Sequence, residues 1–554
     1  MDKVDISFFK FIRLEKVYIE DLQQDTLFYI DNLDAEIKSF DFKGDTTLLQ
    51  FGLVQIDQPV YNLQQAIDSQ QTNLAFLIDA FSSADTSESS MNLLINASDI
   101  VVTNGHFIWD NDNHDVIPFG VDWNHIELNE INLDVSDFKM VNDSFNGHFE
   151  TFSWSERSGF VLDQFSGKAI FSPTTTQVEN LNIRTPYSDV ALDLEYTYDS
   201  IASYAEFIDQ VYMQYRLDTS TINFKDIAYF APPLEGMDYE VTVFGKERGP
   251  VSDMKFQDLF LQYGEATMLH GRIFISGLPD FESTSFTCKF KQLSSNYNDL
   301  ASIKTYPFNE GKHLEIPHFL NNAGTINFKG NFTGFYNDFV TYGTFKSDKE
   351  IINTDLQLAQ EESGTIRYSG AIKTTNFDLA RIMNKHKLLG KVSMDVEVEG
   401  QNLAFEDMKL EVKGKASRFD FMGYTYKDIT VDGTIIDQTI TGLLDIVDTN
   451  VNLSFDGSIA LGGEVPRYEF TSKIEHLKPR QLHLMDKDSS STLSTEVVFN
   501  FQGDSFDNVL GRAGLRNFHY TENGKPVTLK RVDFLAFTTG KDKTLELSSD
   551  NMTM

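Results

Sequence analysis

Residues that could carry metal-dependent or catalytic chemistry are scattered through this sequence and form few recognisable groups. The densest is DNDNHD at residues 110–115, where carboxylate and amide oxygens are ligand types that calcium prefers. The segment lacks the glycine and the final glutamate of a calcium-binding EF-hand loop. A calcium site and a solvated hairpin turn are therefore the two interpretations, and the turn is our prediction.

Signatures of common enzyme classes are missing from the sequence. There is no His-Glu-x-x-His pair for zinc, no Gly-x-Ser-x-Gly nucleophile elbow and no phosphate-binding loop. Cys288 is the only cysteine, so neither an internal disulfide nor a cysteine-based metal site is possible. A carboxylate pair for glycoside hydrolysis stays an open alternative among 83 acidic residues, although no pair stands out. We predict a protein that is not an enzyme and that has no cofactor and no bound metal.

Length and charge narrow the class of protein further. A chain of 554 residues exceeds the roughly 250–300 residues of a single core, which indicates several domains or a stack of repeating units. The net charge of −37 argues against nucleic acid as a partner and against electrostatic docking on an anionic bilayer. The N-terminal residues lack a signal-peptide pattern, and no apolar run has the length of a membrane helix. The chain is therefore either cytosolic or a segment of a longer protein.

Strict alternation of apolar and polar residues dominates the sequence. In KVSMDVEVEG, residues 391–400, the residues Val392, Met394, Val396 and Val398 alternate with polar ones. The same pattern recurs in VNLSFDGSIAL, TINFKGNFTG and ALDLEYTY. A period of two with one apolar face is typical of antiparallel strands that are dry on one side and solvated on the other. We predict an all-β fold with few short helices, built on an elongated antiparallel sheet.

Three short segments have helical spacing instead. TNLAFLIDAFSS predicts a helix near residues 72–82, because its leucine, isoleucine and phenylalanine residues fall on one helical face. FDLARIMNKHK and FKDIAYFAPP predict two further short helices. We expect each helix to lie across the end of a group of strands.

A seven-residue figure recurs at equal intervals. GRIFISG, GTIRYSG and GSIALGG begin at Gly271, Gly364 and Gly457, which are 93 residues apart, and FTCKFKQL is echoed by FTSKIEHL near twice that interval. The pattern predicts stacked units of about 93 residues, because a single group of strands cannot bury its apolar face alone. Chance coincidence of the glycines is the alternative.

The second glycine of each figure is the predicted bending point. Glycine inside a strand often marks a bulge or a bend, so we expect Gly277, Gly370 and Gly463 to occupy matching positions where the sheet curves. Because valine is a good strand former, we expect its substitution there to narrow the sheet locally and to cost little stability.

These patterns divide the chain into six predicted segments. They are an N-terminal β segment at residues 1–110, a β-groove segment at 111–248, three β repeats at 249–340, 341–433 and 434–526, and the start of a further segment at 527–554.

The alternating faces are the best candidate for a functional surface. Plain core packing explains any single strand, whereas many one-faced strands, a heavy load of 47 phenylalanines and no catalytic cluster together favour an apolar face that lines an open groove. The residues predicted to line it are Leu192, Leu194, Ile326, Phe328, Phe332, Ile366, Tyr368, Ile372, Val392, Met394, Val396, Val398, Val451, Leu453 and Phe455. The sequence leaves open whether this groove is open or is closed as a sandwich.

Several segments resemble the TamB family of the Gram-negative envelope, which belongs to the AsmA-like group. They include VDISFFKFIRLEKVYIED, DWNHIELNEINLDVSDF, RSGFVLDQFSGKAIFSPTTTQVENLNIRTPYSDV and FKDIAYFAPPL, and the resemblance extends along nearly the whole chain. These motifs are structural, so no site residues are carried over from the family.

The resemblance implies a fold, a location and partners. The fold is a long sheet folded into a repeating hydrophobic groove, a β-taco, that spans the periplasm and moves phospholipid or another acyl lipid between the inner and outer membranes. An outer-membrane β-barrel is an implied partner. The family has an inner-membrane anchor and a C-terminal domain that this sequence does not show, so we expect an internal segment of a longer protein. An assembly factor for outer-membrane barrels and a structural or adhesive β-rod are the alternative functions.

Overall fold

The structure is a computed structural model. It describes residues 3–7, 10–43, 46–81, 92–316, 318–347, 350–485, 491–505, 508–539, 542–550 and 552–553. Strands make up 66% of it and helices 8%, which confirms the predicted all-β class with few short helices. Its helices are all short, and in the described ranges none has the length and hydrophobicity of a membrane-crossing segment.

The chain divides into two compact units. Unit 1 comprises Met1–Thr284 with Ser302–Leu314, and unit 2 comprises Ser285–Ala301 with Glu315–Met554. The boundary between the units falls inside the segment 249–340, which was predicted to be one repeat. The six-segment division itself stays a prediction.

Unit 1 contains sixteen described strands. They are β1 Lys3–Ser7, β2 Phe11–Glu20, β3 Thr26–Lys43, β4 Thr46–Asp57, β5 Val60–Gln65, β6 Asn92–Asn111, β7 His125–Val141, β8 Ser144–Glu156, β9 Val161–Leu162, β10 Gln164–Ser172, β11 Thr175–Arg184, β12 Asp189–Thr197, β13 Tyr212–Asn223, β14 Glu240–Gly249, β15 Asp253–Tyr263 and β16 Thr267–Ser276. Neighbouring strands pair antiparallel, except that β6 pairs parallel with β4 and β5. A helix lies in the connection before β6, as a parallel pairing requires a crossover of a dozen residues or more.

A column of β-bulges crosses the sheet of unit 1. From β10 to β16, every neighbouring pair of strands shifts its register once. Asn180 and Asp258 lie at two of these shifts, with φ angles of 52° and 48° in the left-handed region that Asn and Asp tolerate. Because bulges bend a strand and increase its twist, this column is where the sheet of unit 1 curves.

Unit 2 contains eighteen described strands that follow one another as an antiparallel meander. They are β17 Ser285–Ser295, β18 Ile326–Gly334, β19 Asp338–Ser347, β20 Glu350–Gln360, β21 Ile366–Thr375, β22 Phe377–Asp378, β23 Leu389–Gln401, β24 Lys409–Phe421, β25 Tyr424–Tyr426, β26 Ile429–Ile436, β27 Thr439–Val447, β28 Val451–Ala460, β29 Arg467–Leu477, β30 Thr492–Gln502, β31 Leu510–Glu522, β32 Lys525–Thr539, β33 Asp542–Ser549 and β34 Met552–Thr553. The short strands β22 and β25 pair beside β23 and β24.

The α-helices are short. They are α1 Ala75–Phe81, α2 Phe207–Gln210, α3 Phe224–Phe230, α4 Tyr297–Ala301 and α5 Leu379–Met383. The predictions of α1, α3 and α5 are confirmed, although α1 begins three residues later than expected and residue 82 lies outside the described residues. Asn223 caps α3 by accepting a hydrogen bond from the backbone N–H of Lys225 at 3.0 Å. The helix α2 and the preceding 3-10 helix Ile201–Glu206 were not predicted.

Candidate functional site

The strand register of unit 2 aligns apolar and small residues in rows that run across the sheet. Residues directly opposite each other in an antiparallel pair point to the same face. The first row crosses fifteen strands and consists of Cys288, Phe332, Thr341, Leu356, Gly370, Val398, Val412, Gly433, Gly442, Gly457, Phe470, Phe499, Ala513, Phe534 and Leu547.

Two more rows flank the first on the same face. The second consists of Phe290, Gly330, Gly343, Thr354, Ile372, Val396, Gly414, Val431, Leu444, Phe455, Ser472, Val497, Leu515, Val532 and Ser549. The third consists of Phe286, Gly334, Phe339, Leu358, Tyr368, Gly400, Leu410, Ile435, Ile440, Ile459, Tyr468, Phe501, Gly511, Ala536 and Leu545. The three rows, here called the apolar face, contain no Asp, Glu, Lys, Arg or His.

The opposite face of the same sheet carries the charged residues, together with some exposed apolar ones such as Leu443 and Tyr342. Lys373 on β21 pairs with Asp395 on β23 at 2.7 Å, and Lys413 on β24 pairs with Asp432 on β26 at 2.6 Å. These side chains are exposed to solvent, and they alternate along each strand with the residues of the apolar face. The sheet of unit 2 is therefore amphipathic, with water on one side and a continuous apolar surface on the other.

The apolar face is only partly buried within unit 2. Along β24, exposed and half-buried residues alternate from Lys409 to Ser417. Ile440 and Leu547 are each 39% exposed, whereas Leu181 in the core of unit 1 is 1% exposed. A second layer packed on the whole face would bury such side chains almost completely. In the described part of unit 2, most of the face has no such layer.

The residues predicted from alternation fall on common faces. Thirteen of the fifteen lie in unit 2, where each is buried or half-buried and projects to the same side as the rows or belongs to them. The other two, Leu192 and Leu194, lie on β12 in unit 1, opposite Leu217 and Tyr215. Leu192 belongs to a buried cluster with Leu181, so this part of unit 1 is closed core.

The three predicted bending glycines do not occupy matching positions, and that prediction is wrong. Gly277 follows the end of β16, Gly370 lies in the middle of β21, and Gly463 lies in the loop after β28. Gly463 is less confined than Gly370, since the nearest atom to an added Cβ would be the Val465 carbonyl oxygen at 3.3 Å.

The leading glycines of the recurring figure also differ in setting. Gly271 lies in β16 and Gly457 in β28, whereas Gly364 lies in the turn before β21. The seven-residue figure therefore marks no common structural unit. The local sequence could not distinguish these settings, because glycine occurs in strands, bulges and turns alike.

Gly370 is the one predicted glycine that lies inside a strand of the apolar face. Its φ of 138° is a conformation that other residues rarely adopt, and a Cβ there would lie 2.0 Å from the Asp355 carbonyl oxygen. The expectation that valine would cost little at this position is therefore wrong, because the neighbouring strand fills the space.

Aromatic rings form a contiguous patch on the apolar face near β28–β32. Phe455 packs on Phe470 with 5.0 Å between ring centroids, and Phe470 stacks on Phe499 at 5.1 Å. Phe499 packs on Phe501 at 4.9 Å, and Phe501 stacks on Phe534 at 5.6 Å. The patch offers a broad apolar surface without a hydrogen-bonding group, which suits hydrocarbon better than a polar ligand.

Unit 1 contains a buried carboxyl group that the sequence analysis missed. Glu247 on β14 is 4% exposed, and neither carboxylate oxygen has a hydrogen-bond partner of normal geometry. Burial raises the pKa of Glu247 to about 8, and the backbone N–H of Lys255 opposes that rise only in part. The sequence does contain a signal for this burial. Glu247 lies an even number of residues after the buried Val241 and Val243, so its side chain projects to the same inward face of β14.

Tyrosines adjoin Glu247. Tyr215 is its cross-strand neighbour on β13, and the Tyr215 and Tyr196 hydroxyl groups are 2.6 Å apart. Burial raises the pKa of both tyrosines, and the charge of Glu247 contributes to the rise. Tyr204, from the 3-10 helix before α2, bonds through its hydroxyl group to Thr176 at 2.9 Å.

The acidic segment 110–115 forms a turn held by a histidine. His125 is 4% exposed; its Nδ1 lies 2.5 Å from Asp110 Oδ1 and its Nε2 lies 2.8 Å from the His114 carbonyl oxygen. Asp122 accepts hydrogen bonds from the backbone N–H groups of Ile117 and Asn124, each at 3.0 Å. These contacts fix the loop between β6 and β7, and within the described ranges no group of three or more His, Cys, Asp or Glu is arranged to hold a metal.

No protein-family profile, no curated protein and no solved structure matches this chain.

Proposed function

We propose that the apolar face of unit 2 binds the acyl chains of phospholipid and that the protein is a lipid-transfer conduit of the TamB type. The observation that carries the proposal is the three rows of residues without a charge, which cross fifteen hydrogen-bonded strands of unit 2. The periplasmic location, the inner-membrane anchor of the full-length protein and an outer-membrane barrel partner belong to the same proposal and rest on the resemblance.

The energetics favour a hydrocarbon ligand on such a surface. Burying a CH₂ group gains about 0.8 kcal/mol, so an acyl chain of sixteen carbons gains on the order of 12 kcal/mol relative to water. The rows present apolar and small residues at every strand, so successive positions offer similar contacts. A lipid could then move along the face without meeting a deep energy minimum or a charged barrier.

Partial exposure supports an open groove over the alternative of a closed β-rod. Side chains such as Ile440 and Leu547 stay accessible within unit 2, at 39% of their surface. A protein in water leaves a contiguous apolar surface of this extent uncovered mainly where it binds something.

The direct test is whether the purified protein carries lipid. We expect organic extraction and mass spectrometry to detect more than one phospholipid per chain. Protein that is lipid-free after purification, and stays so after incubation with vesicles, would favour the rod. Lipid-free protein that instead captures unfolded outer-membrane barrel proteins would favour the assembly factor.

A matched pair of substitutions on β26 separates the two faces. Val431 is half-buried in the second row, between Gly414 and Leu444, and its neighbour Thr430 is exposed on the charged face opposite Lys415. An aspartate among acyl chains costs several kcal/mol, so Val431→Asp should fold and lose most bound lipid. Thr430→Asp should keep it. Global unfolding of Val431→Asp would mean that the face is closed core.

A further inference from the structure

A short helical segment lies against the apolar side of unit 1. The segment, here called the cover, consists of the 3-10 helix Ile201–Glu206 and the helix α2 Phe207–Gln210. Its Tyr204 and Phe207 pack against a buried cluster formed by Tyr198, just after β12, and Met213, on β13. The cover shields strands that would otherwise present an apolar surface like that of unit 2.

Ring packing and few hydrogen bonds to the rest of unit 1 hold the cover in place, and the centroids of the Tyr204 and Tyr198 rings are 4.9 Å apart. The Tyr204 hydroxyl group bonds to Thr176 at 2.9 Å, and the backbone N–H of Ser252 donates to the Ile208 carbonyl oxygen at 3.2 Å. The Phe207 ring packs on Tyr196 with 5.7 Å between centroids. The strands beneath are joined along their length by backbone hydrogen bonds, so the cover can move away without breaking the pairing of the sheet.

A path of direct contacts joins the cover to Glu247. Phe207 packs on Tyr196, Tyr196 bonds to Tyr215, and Tyr215 lies opposite Glu247 in the β13–β14 pair. Both carboxylate oxygens of Glu247 are enclosed, and neither has a hydrogen-bond partner of normal geometry. The backbone N–H of Lys255 compensates the charged form only in part, so ionisation of Glu247 favours an arrangement that admits water.

We propose that the cover opens when Glu247 ionises, so that proton concentration controls access to the apolar side of unit 1. The carboxyl group is neutral while the cover is closed, and its charged form is hydrated only when the cover moves away. The opening itself does not depend on lipid. Only its consequence, entry of an acyl chain, rests on the function proposed above.

Other ionisable groups around Glu247 do not account for such a change. The residue opposite it on β15 is Phe256, and the Lys255 side chain pairs with Asp253. Burial raises the pKa of Tyr204 to about 12. Burial also raises the pKa of Tyr196 and Tyr215, so these phenols stay neutral where Glu247 titrates. The acids of the cover, Glu206 and Asp209, are exposed to solvent.

The direction of the effect follows from linkage. The closed form holds its proton up to a pKa of about 8, whereas an open, solvated glutamate releases it near the ordinary value of 4.5. The closed form is therefore fully favoured below pH 4.5 and loses that advantage as the pH rises to about 8. Across this window, the ratio of open to closed molecules should rise by up to about tenfold per pH unit.

Amide hydrogen exchange of the whole chain, corrected for intrinsic rates, tests the proposal between pH 5 and 9. We expect the protection of residues 201–211 to fall with pH in the wild type and to stay flat in Glu247→Gln and Glu247→Leu, which cannot ionise. The matched control Glu195→Gln removes a carboxyl group from the other face of β12 and should keep the wild-type slope. The same slope in either Glu247 variant would overturn the proposal, as would equal loss of protection in β13 and β14.

A second measurement separates this inference from the proposed function. Uptake of a pyrene-labelled phospholipid from neutral vesicles should be faster at pH 8.5 than at pH 6 in the wild type, and equal at both in Glu247→Leu. A pH-dependent cover with no uptake at any pH would support the opening and contradict lipid binding. Uptake that depends on pH equally in both proteins would overturn the role of Glu247.

Discussion

Gly370 illustrates at the residue scale how a neighbouring strand restricts a position that the sequence leaves free. We expect Gly370→Ala to lower stability by about 1–3 kcal/mol, because alanine would adopt a disfavoured φ beside the Asp355 carbonyl oxygen. The shift of the urea midpoint, followed by circular dichroism, measures this. Gly463→Ala, in the loop after β28, is the matched control and should change the midpoint less, because the nearest atom to the new Cβ would be 3.3 Å away. Equal midpoint shifts for the two variants would mean that the neighbouring strand leaves room for a side chain at Gly370.

His125 makes a second residue-scale prediction, which concerns pH. The hydrogen bond to Asp110 raises the pKa of His125 above its ordinary value of 6.5, although burial opposes the rise. The stabilisation of the folded state by protonated His125 is therefore complete below pH 6.5, and it is lost as the pH rises through the folded-state pKa of His125. We expect exchange of the Val121 amide to accelerate over that range beyond its intrinsic rate. Asp110→Asn should abolish the trend, and His106→Asn should leave it intact.

At the element scale, an ion pair ties α5 to β20. Arg381 Nη2 lies 2.7 Å from Glu350 Oε2, and Glu350 is 7% exposed. Arg381→Ala leaves a buried carboxylate without its ion-pair partner, so we expect a loss of about 3–5 kcal/mol in unfolding free energy. The double variant Arg381→Met with Glu350→Met should recover most of it. A loss below about 1 kcal/mol for the single variant would show that water solvates Glu350.

At the scale of the whole molecule, the apolar surface favours lipid binding, whereas the negative net charge repels anionic lipid. The net charge of −37 should slow encounter with vesicles rich in anionic lipid. Because salt screens this repulsion over about 10 Å at 0.1 M, we expect uptake from anionic vesicles to rise with salt and uptake from zwitterionic vesicles to stay constant. Stopped-flow fluorescence with labelled lipid measures both. A fall with salt from anionic vesicles would indicate a local basic docking site instead.

The apolar face also sets the capacity of the molecule. Fifteen strands at a spacing of about 4.8 Å extend the rows over about 67 Å of sheet, which exceeds the length of one acyl chain. We therefore expect lipid binding to saturate above one molecule per chain. Saturation at a single lipid in equilibrium titration would indicate one defined pocket in place of a continuous face.

The sequence by itself determined the all-β class, three of the helices and the face to which residues such as Val396 and Phe455 project. These features are local, because side-chain direction alternates with a period of two whatever the partner strand is. The sequence also showed that Glu247 and Val241 project to the same face of their strand, but it did not show whether water reaches the Glu247 carboxyl group. A carboxyl group at an inward position has an ordinary pKa where water reaches it and a raised pKa where other residues enclose it, and only tertiary packing decides between the two.

Only the tertiary structure decided the strand register, the bulges at Asn180 and Asp258, the parallel pairing of β6 and the settings of the three glycines. Each of these depends on which backbone lies beside a given residue, often from a strand distant in sequence, and no local pattern specifies that neighbour. The continuity of the apolar rows has the same origin. Alternation makes each strand one-faced, but only hydrogen-bonded register between strands brings those faces to the same side of the sheet.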